Sequence, residues 1–94
     1  MSISLYEEAI PNFTKAIQLA PNYAETYFNR GISCSDLGQY QNAIADYDRA
    51  IKLTPDYAKV HYNQGISHHI LGNITQANAD ETTACSLDSN TGDD

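Results

Sequence analysis

The feature that most constrains this chain is a recurrence of its own sequence at an interval of 34 residues. When residues 21–54 are aligned with residues 55–88, 14 of the 34 positions carry the same residue. A period of this length is typical of repeat architectures, in which each unit is a pair of secondary-structure elements that buries its apolar face against its neighbours. The recurrence therefore predicts a stack of similar units rather than a single enclosed core.

The first twenty residues repeat only the second half of this unit. Tyr6, Ala9, Ile10, Phe13, Ala16, Ile17 and Leu19 align with Tyr40, Ala43, Ile44, Tyr47, Ala50, Ile51 and Leu53. We interpret residues 5–20 as the second helix of a partial repeat, residues 21–54 as a complete repeat and residues 55–88 as a degenerate or capping repeat. The repeat domain is assigned to residues 1–87, and a flexible acidic tail to residues 88–94.

Each unit has the pattern of two helices joined by a turn. In the complete unit, Tyr23, Tyr27, Ile32 and Cys34 form an apolar stripe on a helix that ends at Leu37. Asn22 and Asp56 are candidate caps for the first helices of the two units. Gly38 follows Leu37 and suits the left-handed conformation past a helix end. A second helix is expected from about Gln41 to Leu53, with Ala43, Ile44, Tyr47, Ala50 and Ile51 on its apolar face.

Glycine and alanine have a packing role in this pattern. Two helices approach closely only where a side chain is nearly absent, so Gly31 is expected opposite Ala43 and Gly65 opposite Ala77. The pattern predicts antiparallel hairpins that stack on their neighbours. The last helix is expected from about Ile74 to Ser86.

Pro11 is tolerated in the first turn of a helix, so we expect the N-terminal helix to run from about Glu8 to Leu19. Its apolar face is Ile10, Phe13, Ala16 and Ile17, and the helix that would cover part of that face in a complete repeat is not in this chain. Either the chain is cut from a longer array or a second copy completes the stack, and the second option leaves a homodimer open as an alternative.

Tyr27, Gly31, Ala43, Tyr47, Ala50 and Pro55 match in type the characteristic positions of one family, while Arg30 and Cys34 depart from them. On these residues the chain resembles the tetratricopeptide repeat (TPR) family. The resemblance implies an all-α fold, a right-handed α-α superhelix (TPR solenoid) of about five antiparallel helices. It also implies a non-catalytic protein-protein interaction module that binds a partner peptide in the concave groove formed by the first helices of the repeats.

The resemblance also implies which residues line that groove. Carried over to this sequence, they are Glu25, Phe28, Asn29, Ile32, Asp36, Lys59, Tyr62, Asn63, Ile66, His69 and Ile70. Of these, Phe28, Ile32, Tyr62 and Ile66 would take apolar side chains of a ligand. The amides of Asn29 and Asn63 would fix the ligand backbone, since an amide both donates and accepts hydrogen bonds.

Some family members clamp the C-terminal carboxylate of a chaperone tail with Lys, Asn and Arg. Asn29 and Lys59 match two of those residues in type, but Asn63 stands where an Arg would be. Acidic Glu25 and Asp36 at the rim favour a neutral or basic partner instead. The alternative function is a homo-oligomeric structural or scaffolding repeat that self-associates through its incomplete N-terminal repeat.

Charge and composition exclude other classes of function. Twelve Asp and Glu against five Lys and Arg give a formal net charge of -7, which repels nucleic acid and anionic membranes. The first residues lack the basic start and the apolar run that are typical of a signal peptide, and no stretch approaches about 20 apolar residues, so we expect a cytoplasmic protein without membrane insertion. Cys34 and Cys85 are expected to be reduced thiols.

No cofactor, metal site or catalytic residue is expected. The sequence shows no nucleophile beside a base and no glycine-rich phosphate loop, so we expect no enzymatic activity. His61 and His68 face the same way on a helix, but a rise of about 1.5 Å per residue separates them by about 10 Å, too far to share a metal ion.

Overall fold

The computed structural model describes the backbone of residues 2–92 and the side chains of residues 5–88. Within that part of the chain all regular structure is helical. The five helices are α1 (Ser2–Leu19), α2 (Ala24–Asp36), α3 (Tyr40–Leu53), α4 (Ala58–Ile70) and α5 (Ile74–Gly92). Each packs against the next in chain order, and α2 also contacts α4. The predicted all-α stack of about five helices is confirmed.

Close approach of the helices in each hairpin depends on a glycine, as the sequence predicts. A Cβ atom on Gly31 would lie 2.5 Å from Cε1 of Tyr47 and 3.3 Å from the carbonyl oxygen of Ala43. A Cβ atom on Gly65 would lie 3.2 Å from the carbonyl oxygen of Ala77. Gly31 of α2 therefore faces α3, and Gly65 of α4 faces α5, where the two helices of each hairpin approach most closely.

The turns after α2 and α4 contain glycines in the left-handed region, with φ of 82° at Gly38 and 84° at Gly72.

The proposed side-chain caps at the N-terminal ends of α2 and α4 are wrong. The N-cap residues are Tyr23 for α2 and Tyr57 for α4, and neither helix has a side-chain cap hydrogen bond. Asn22 and Asp56 lie one residue too early to cap these helices.

The hydrophobic core lies mainly between α2, α3 and the start of α4. Its buried members are Tyr27, Phe28, Cys34, Ala43, Tyr47, Ala50 and Val60, and Ile10 and Ile17 of α1 pack against them. Tyr23 was expected on the apolar stripe, but 66% of it is exposed. Its backbone is extended at the N-cap position, so its side chain does not share the buried face of α2.

The N-terminal helix begins at Ser2 rather than near Glu8, and Pro11 lies inside it. Proline removes the hydrogen bond that its N–H would make to the carbonyl of Glu7. Both residues are exposed, so water can satisfy the freed carbonyl without breaking the helix. The interior proline is tolerated because it lies on the solvent side, while Ile10 and Ile17 hold the opposite side against the core.

The last helix is longer than the sequence pattern indicates. α5 continues to Gly92, past the expected end at Ser86, so the backbone of residues 88–92, which were expected in the tail, is helical, and the flexibility of the tail stays a prediction. Neither proline nor glycine interrupts the chain between Ile74 and Gly92, so nothing in the backbone stops the helix earlier. Residues 93–94 of the expected tail lie outside the described residues.

Candidate functional site

A groove runs along the face where α2 and α4 lie side by side. It consists of three depressions, which share Asn63 or Lys59 with their neighbours and so form one continuous surface, called here the α2/α4 groove. The depression furthest along α2 has a volume of about 180 Å³ and is lined by Ile32, Ser35, Asp36, Tyr47, Asn63 and Ile66. The other two are lined mainly by residues of α2, of the α3–α4 connection and of the start of α4.

Helix α2 contributes four of its five expected side chains directly to the groove wall. Glu25 and Asn29 line the depression near the start of the helix, and Ile32 and Asp36 line the depression near its end. Their spacings of four, three and four residues place them on one face of an α-helix. This face therefore presents a polar start, an apolar middle and an acidic end.

Phe28, the fifth expected residue of α2, belongs mainly to the core. Only 8% of it is exposed, and its ring centroid lies 5.2 Å from that of Tyr57 and 6.0 Å from that of Tyr47. It contributes to one wall of the groove from below. Because two tyrosines already cover its ring, Phe28 offers little surface to a ligand, and its expected contact with an apolar side chain of a ligand stays a prediction.

Helix α4 presents Lys59, Tyr62, Asn63 and Ile66 to the groove. Tyr62 is 56% exposed and Ile66 is 38% exposed, so both offer uncovered apolar surface. The remaining two expected residues, His69 and Ile70, are exposed but do not line any of the three depressions. Nε2 of His69 instead lies 3.4 Å from Oε2 of Glu81 on α5.

Several groove residues were not expected from the sequence. They are Ser35, Tyr47, Thr54, Asp56, Tyr57, Ala58 and Asp88. Most come from the connection between α3 and α4 or from α5, whereas the family resemblance assigned only residues of the first helices. For Tyr47 the sequence did contain a signal. A large side chain on α3 that faces a glycine of α2 can reach across the hairpin into the groove.

The electrostatics of the groove are dominated by carboxylates. Its lining includes Glu25, Asp36, Asp56 and Asp88, and its one basic side chain among the described residues is Lys59.

The pKa values of three tyrosines that lie near these carboxylates are raised. The pKa of Tyr47 is raised to about 12, first by burial and then by the charge of Asp36. The pKa of Tyr57 is raised by burial and by Glu25. The pKa of Tyr6 is raised by its hydrogen bond to Asp36.

A second polar cluster lies outside the groove and joins the first three helices. Nε of Arg30 donates to Oδ2 of Asp46 at 2.9 Å, and Nη2 donates to Oδ1 at 2.7 Å. Nη1 of the same guanidinium donates to Oγ1 of Thr14 at 3.1 Å. The hydrogen bond to Asp46 raises the pKa of Arg30. Arg30, which departs from the family pattern, thus connects α2 to α1 and α3.

No group of three or more His, Cys, Asp or Glu side chains between residues 5 and 88 is arranged to hold a metal ion. Cys34 is buried and Cys85 exposed, and both are free thiols. Burial raises the pKa of Cys34, which favours its neutral form.

None of the helices, as far as they are described, is both long and apolar enough to cross a membrane.

A sequence model of the TPR repeat matches residues 5–35 and 33–72, which together make up most of the chain. The chain belongs to the TPR family. The matched residues cover α1 to α4, so the TPR model includes both walls of the α2/α4 groove. No curated protein sequence matches the chain.

Solved TPR structures superpose closely on the chain. The second TPR of Spaghetti (RPAP3), bound to the HSP90 peptide SRMEEVD, is 29% identical with a TM-score of 0.85, over 87% of this chain and 76% of that one. The MamA MSR-1 C2 structure is 25% identical with a TM-score of 0.88, over 96% of this chain. The TPR2B domain of yeast Sti1, in complex with pHsp70, is 24% identical with a TM-score of 0.89, over 94% of this chain and 70% of that one. This chain spans 53% of the MamA chain. The predicted TPR solenoid is confirmed.

Proposed function

We propose that the chain is a non-catalytic protein-interaction module that binds a neutral or basic peptide segment in the α2/α4 groove. The observation that carries the proposal is the uncovered apolar surface of Tyr62 and Ile66, which line the groove together with Asn63, next to the depression that Asn29 lines. Exposed apolar side chains next to groups that donate and accept hydrogen bonds suit a ligand with both a side chain and a backbone to bind. The peptide complex of the Spaghetti TPR supports this use of the fold.

The charge of the groove selects between ligands. The peptide in the Spaghetti complex, SRMEEVD, carries three acidic side chains. Here the carboxylates of Glu25, Asp36, Asp56 and Asp88 would face such a peptide, with Lys59 as the opposing charge. Like charges at an interface lower the affinity and slow association, whereas opposite charges raise the affinity and speed association. We therefore infer a ligand that brings lysine, arginine or no charge to this surface.

The direct test compares two labelled peptides by fluorescence anisotropy. One is SRMEEVD, and the other is SRMKKVK, in which lysines replace the three acidic residues. We expect SRMKKVK to bind more tightly, with an affinity that falls as salt is added, because the attraction between exposed charges is screened. Tighter binding of SRMEEVD would contradict the proposed selectivity for neutral or basic segments.

A pair of protein variants locates the binding surface. The double variant Tyr62→Ala with Ile66→Ala removes exposed apolar surface from the groove, so the affinity for SRMKKVK is expected to fall at least tenfold. Leu19→Ala with Leu53→Ala is the matched control, since these side chains are 78% and 40% exposed and do not line the groove. Equal loss in both double variants would show that the peptide binds elsewhere.

Self-association is the second candidate function, and helix α1 supports it. Among the described residues α1 packs against α2 alone, and Leu5 and Leu19 are 65% and 78% exposed. Ile10 and Ile17, which were expected on the uncovered face, pack against the core instead, so a copy would have to use the remaining surface of α1. A second copy seated there would make the chain a homo-oligomeric scaffold.

Size-exclusion chromatography with light scattering separates the two candidates. Self-association through α1 predicts a dimer of about twice the 10.4 kDa chain mass that Leu5→Glu with Leu19→Glu converts to monomer. A monomer at every concentration would exclude self-association as the function and leave peptide binding. A cytoplasmic location stays a prediction of the sequence, and fractionation of cells that express the tagged chain tests it.

A further inference from the structure

Both arginines of the chain line one cavity, which shares no residue with the α2/α4 groove. This cavity lies where α1, α2 and α3 meet, has a volume of about 270 Å³ and is called here the α1/α3 cleft. Its polar lining consists of Thr14, Arg30, Gln39, Asn42, Asp46 and Arg49. The cleft therefore concentrates guanidinium groups in a chain whose formal net charge is -7.

Arg49 is a cation without a counter-charge in the structure. It is exposed, and it forms no ion pair with any described residue, although the sequence contains twelve Asp and Glu. The carboxylate next to it in sequence, Asp48, accepts a hydrogen bond from Gln64 of α4 at 2.6 Å and so belongs to the next hairpin. The guanidinium of Arg49 is thus available to an anion from outside the chain.

Arg30 is held in place beside it and keeps part of its hydrogen-bonding capacity. A guanidinium has five N–H groups, and the bonds to Asp46 and Thr14 use three of them. One N–H on Nη1 and one on Nη2 have no partner among the described residues. The side chain is 17% exposed and lines the cleft, so these two groups can donate to a ligand there without loss of the bonds to Asp46.

The next junction of the solenoid shows that packing of the repeat does not require these cations. At the repeat positions of Thr14, Arg30, Asp46 and Arg49, the junction of α3, α4 and α5 carries Asp48, Gln64, Asp80 and Thr83. Two cations and one carboxylate in the cleft thus correspond to two carboxylates and neither lysine nor arginine. The helices pack against one another at both junctions. A structural role common to the repeats therefore does not account for the two arginines.

We propose that the α1/α3 cleft is a second binding site, which takes a carboxylate of an acidic peptide segment. Arg30 and Arg49 against Asp46 leave one net positive charge, which a single carboxylate balances. A phosphate group, with about 1.5 to 2 negative charges near pH 7, would exceed it. The planar guanidinium also matches the two oxygens of a carboxylate, which can accept two parallel N–H bonds.

The rim of the cleft can bind the backbone of such a segment. Nδ2 of Asn42 donates to Oε1 of Gln39 at 3.2 Å, which leaves Oδ1 of Asn42 and Nε2 of Gln39 for a peptide carbonyl and N–H. Helix α3 begins here without a side-chain cap, and the positive end of its dipole also favours an anion.

The length of α3 along the cleft sets the length of the segment. Asn42 and Arg49 are seven residues apart, which corresponds to about 10 Å along the helix axis. An extended peptide advances about 3.3 Å per residue, so about three residues span this distance. The sequence Glu-Gly-Glu therefore suits the cleft, with one carboxylate at Arg49 and the other towards the start of α3.

The side-chain N–H signals of arginine test the proposal directly, because both arginines of the chain line the cleft. The ¹⁵N-labelled chain is titrated with the blocked peptide acetyl-GEGEG-amide and, as control ligand, with acetyl-GQGQG-amide. We expect saturable shifts of the Nε–H signals of Arg49 and Arg30 with the acidic peptide and none with the neutral one. Equal shifts with both peptides, or no shift with the acidic one, would overturn the proposal. Tighter binding of inorganic phosphate at the same ionic strength would overturn the assignment to a carboxylate.

A pair of variants of equal charge separates a site from a general charge effect. Arg49 and Lys52 are both exposed cations of α3, but only Arg49 lines the cleft. We expect Arg49→Gln to raise the dissociation constant for acetyl-GEGEG-amide by about threefold or more, and Lys52→Gln to leave it close to the wild-type value. An equal loss in both variants would show that the peptide senses only the overall charge, and would refute the cleft as its site.

The groove variant distinguishes this site from the one in the α2/α4 groove. Tyr62→Ala with Ile66→Ala should keep the acidic peptide and lose SRMKKVK, whereas Arg49→Gln should lose the acidic peptide and keep SRMKKVK. Any binding of SRMEEVD through the cleft would likewise disappear in Arg49→Gln. Loss of acetyl-GEGEG-amide from the groove variant, with binding retained in Arg49→Gln, would place that peptide in the groove and overturn the second site.

Discussion

Replacing Gly31 with alanine is expected to destabilise the fold, although alanine is the better helix former. The added Cβ atom would lie 2.5 Å from Cε1 and 2.8 Å from Cδ1 of the Tyr47 ring. That ring is 2% exposed and packs against Phe28, so it has no free space to move into. Such overpacking costs about 3 kcal/mol, at the upper end of the usual range. The gain from replacing an interior helical glycine is about 1 kcal/mol.

The net effect of Gly31→Ala is therefore a loss of about 2 kcal/mol of unfolding free energy, which corresponds to a decrease in Tm of roughly 8 to 16 °C for a domain of this size. Gly65→Ala is the matched control. Its Cβ would lie 3.2 Å from the Ala77 carbonyl oxygen and 3.3 Å from side-chain atoms of Asp80 and Glu81. A shift of a few tenths of an ångström relieves these contacts, so the packing cost and the propensity gain nearly cancel.

Thermal unfolding followed by circular dichroism at 222 nm measures both variants under the same conditions. We expect Gly31→Ala to melt well below the wild type and Gly65→Ala to melt within a few degrees of it. The contrast depends on the position of the Tyr47 ring, since the two glycines are equivalent in the repeat. Equal Tm values for Gly31→Ala and the wild type would refute the close packing of Tyr47 on α2.

Three further outcomes are expected. Asp46→Asn leaves the half-buried guanidinium of Arg30 without its counter-charge, so the free energy of unfolding from urea denaturation should fall by about 3 kcal/mol. Phe28→Ala should cost about 3 to 5 kcal/mol in the same assay, since Phe28 is a core residue, and a loss below 1 kcal/mol would contradict that placement. Because the folded pKa of Tyr47 is raised to about 12, stability should be complete below pH 10 and decline as the pH rises towards 12, and Tyr47→Phe should reduce that decline.

The fold was predictable because its main determinants are local and periodic. The 34-residue recurrence predicts the number of helices, and the positions of glycine and alanine predict where neighbouring helices pack closely. The ends of the helices were less predictable. Pro11 lies inside α1 because its side faces water, and α5 runs on to Gly92 because no residue stops it. The first outcome depends on which side of α1 is exposed, and that is set by tertiary packing.

The groove was predictable only in part for a related reason. The family resemblance assigned Asn29, Ile32, Asn63 and Ile66 to one surface, and they line adjoining depressions of the groove. The resemblance could not show that Phe28 is covered by tyrosines of α3 and of the connection that follows it. Residues supplied by that connection and by α5 have no periodic signal, so they become visible only once the helices are packed.

The Arg30–Asp46 pair, and the two histidines that stand beside Asp80 in the next repeat, were also beyond the sequence pattern. Repeat alignment shows that Asp46 and Asp80 are equivalent, but not that Gln64, at the repeat position of Arg30, turns to Asp48 rather than to Asp80. The orientation of this amide leaves Asp80 beside His61 and His68. Side-chain directions of this kind follow from hydrogen-bond geometry and not from spacing along the chain.

The most direct test of peptide binding in the α2/α4 groove is a titration of the ¹⁵N-labelled chain with the peptide SRMKKVK, followed by backbone amide shifts. We predict saturable changes that are largest at Asn29 and Ile32 of α2 and at Tyr62, Asn63 and Ile66 of α4. The amides of α1 should change little, because α1 does not line the groove. Changes concentrated on α1 or on the outer face of α3, with the groove amides unmoved, would contradict the proposed site.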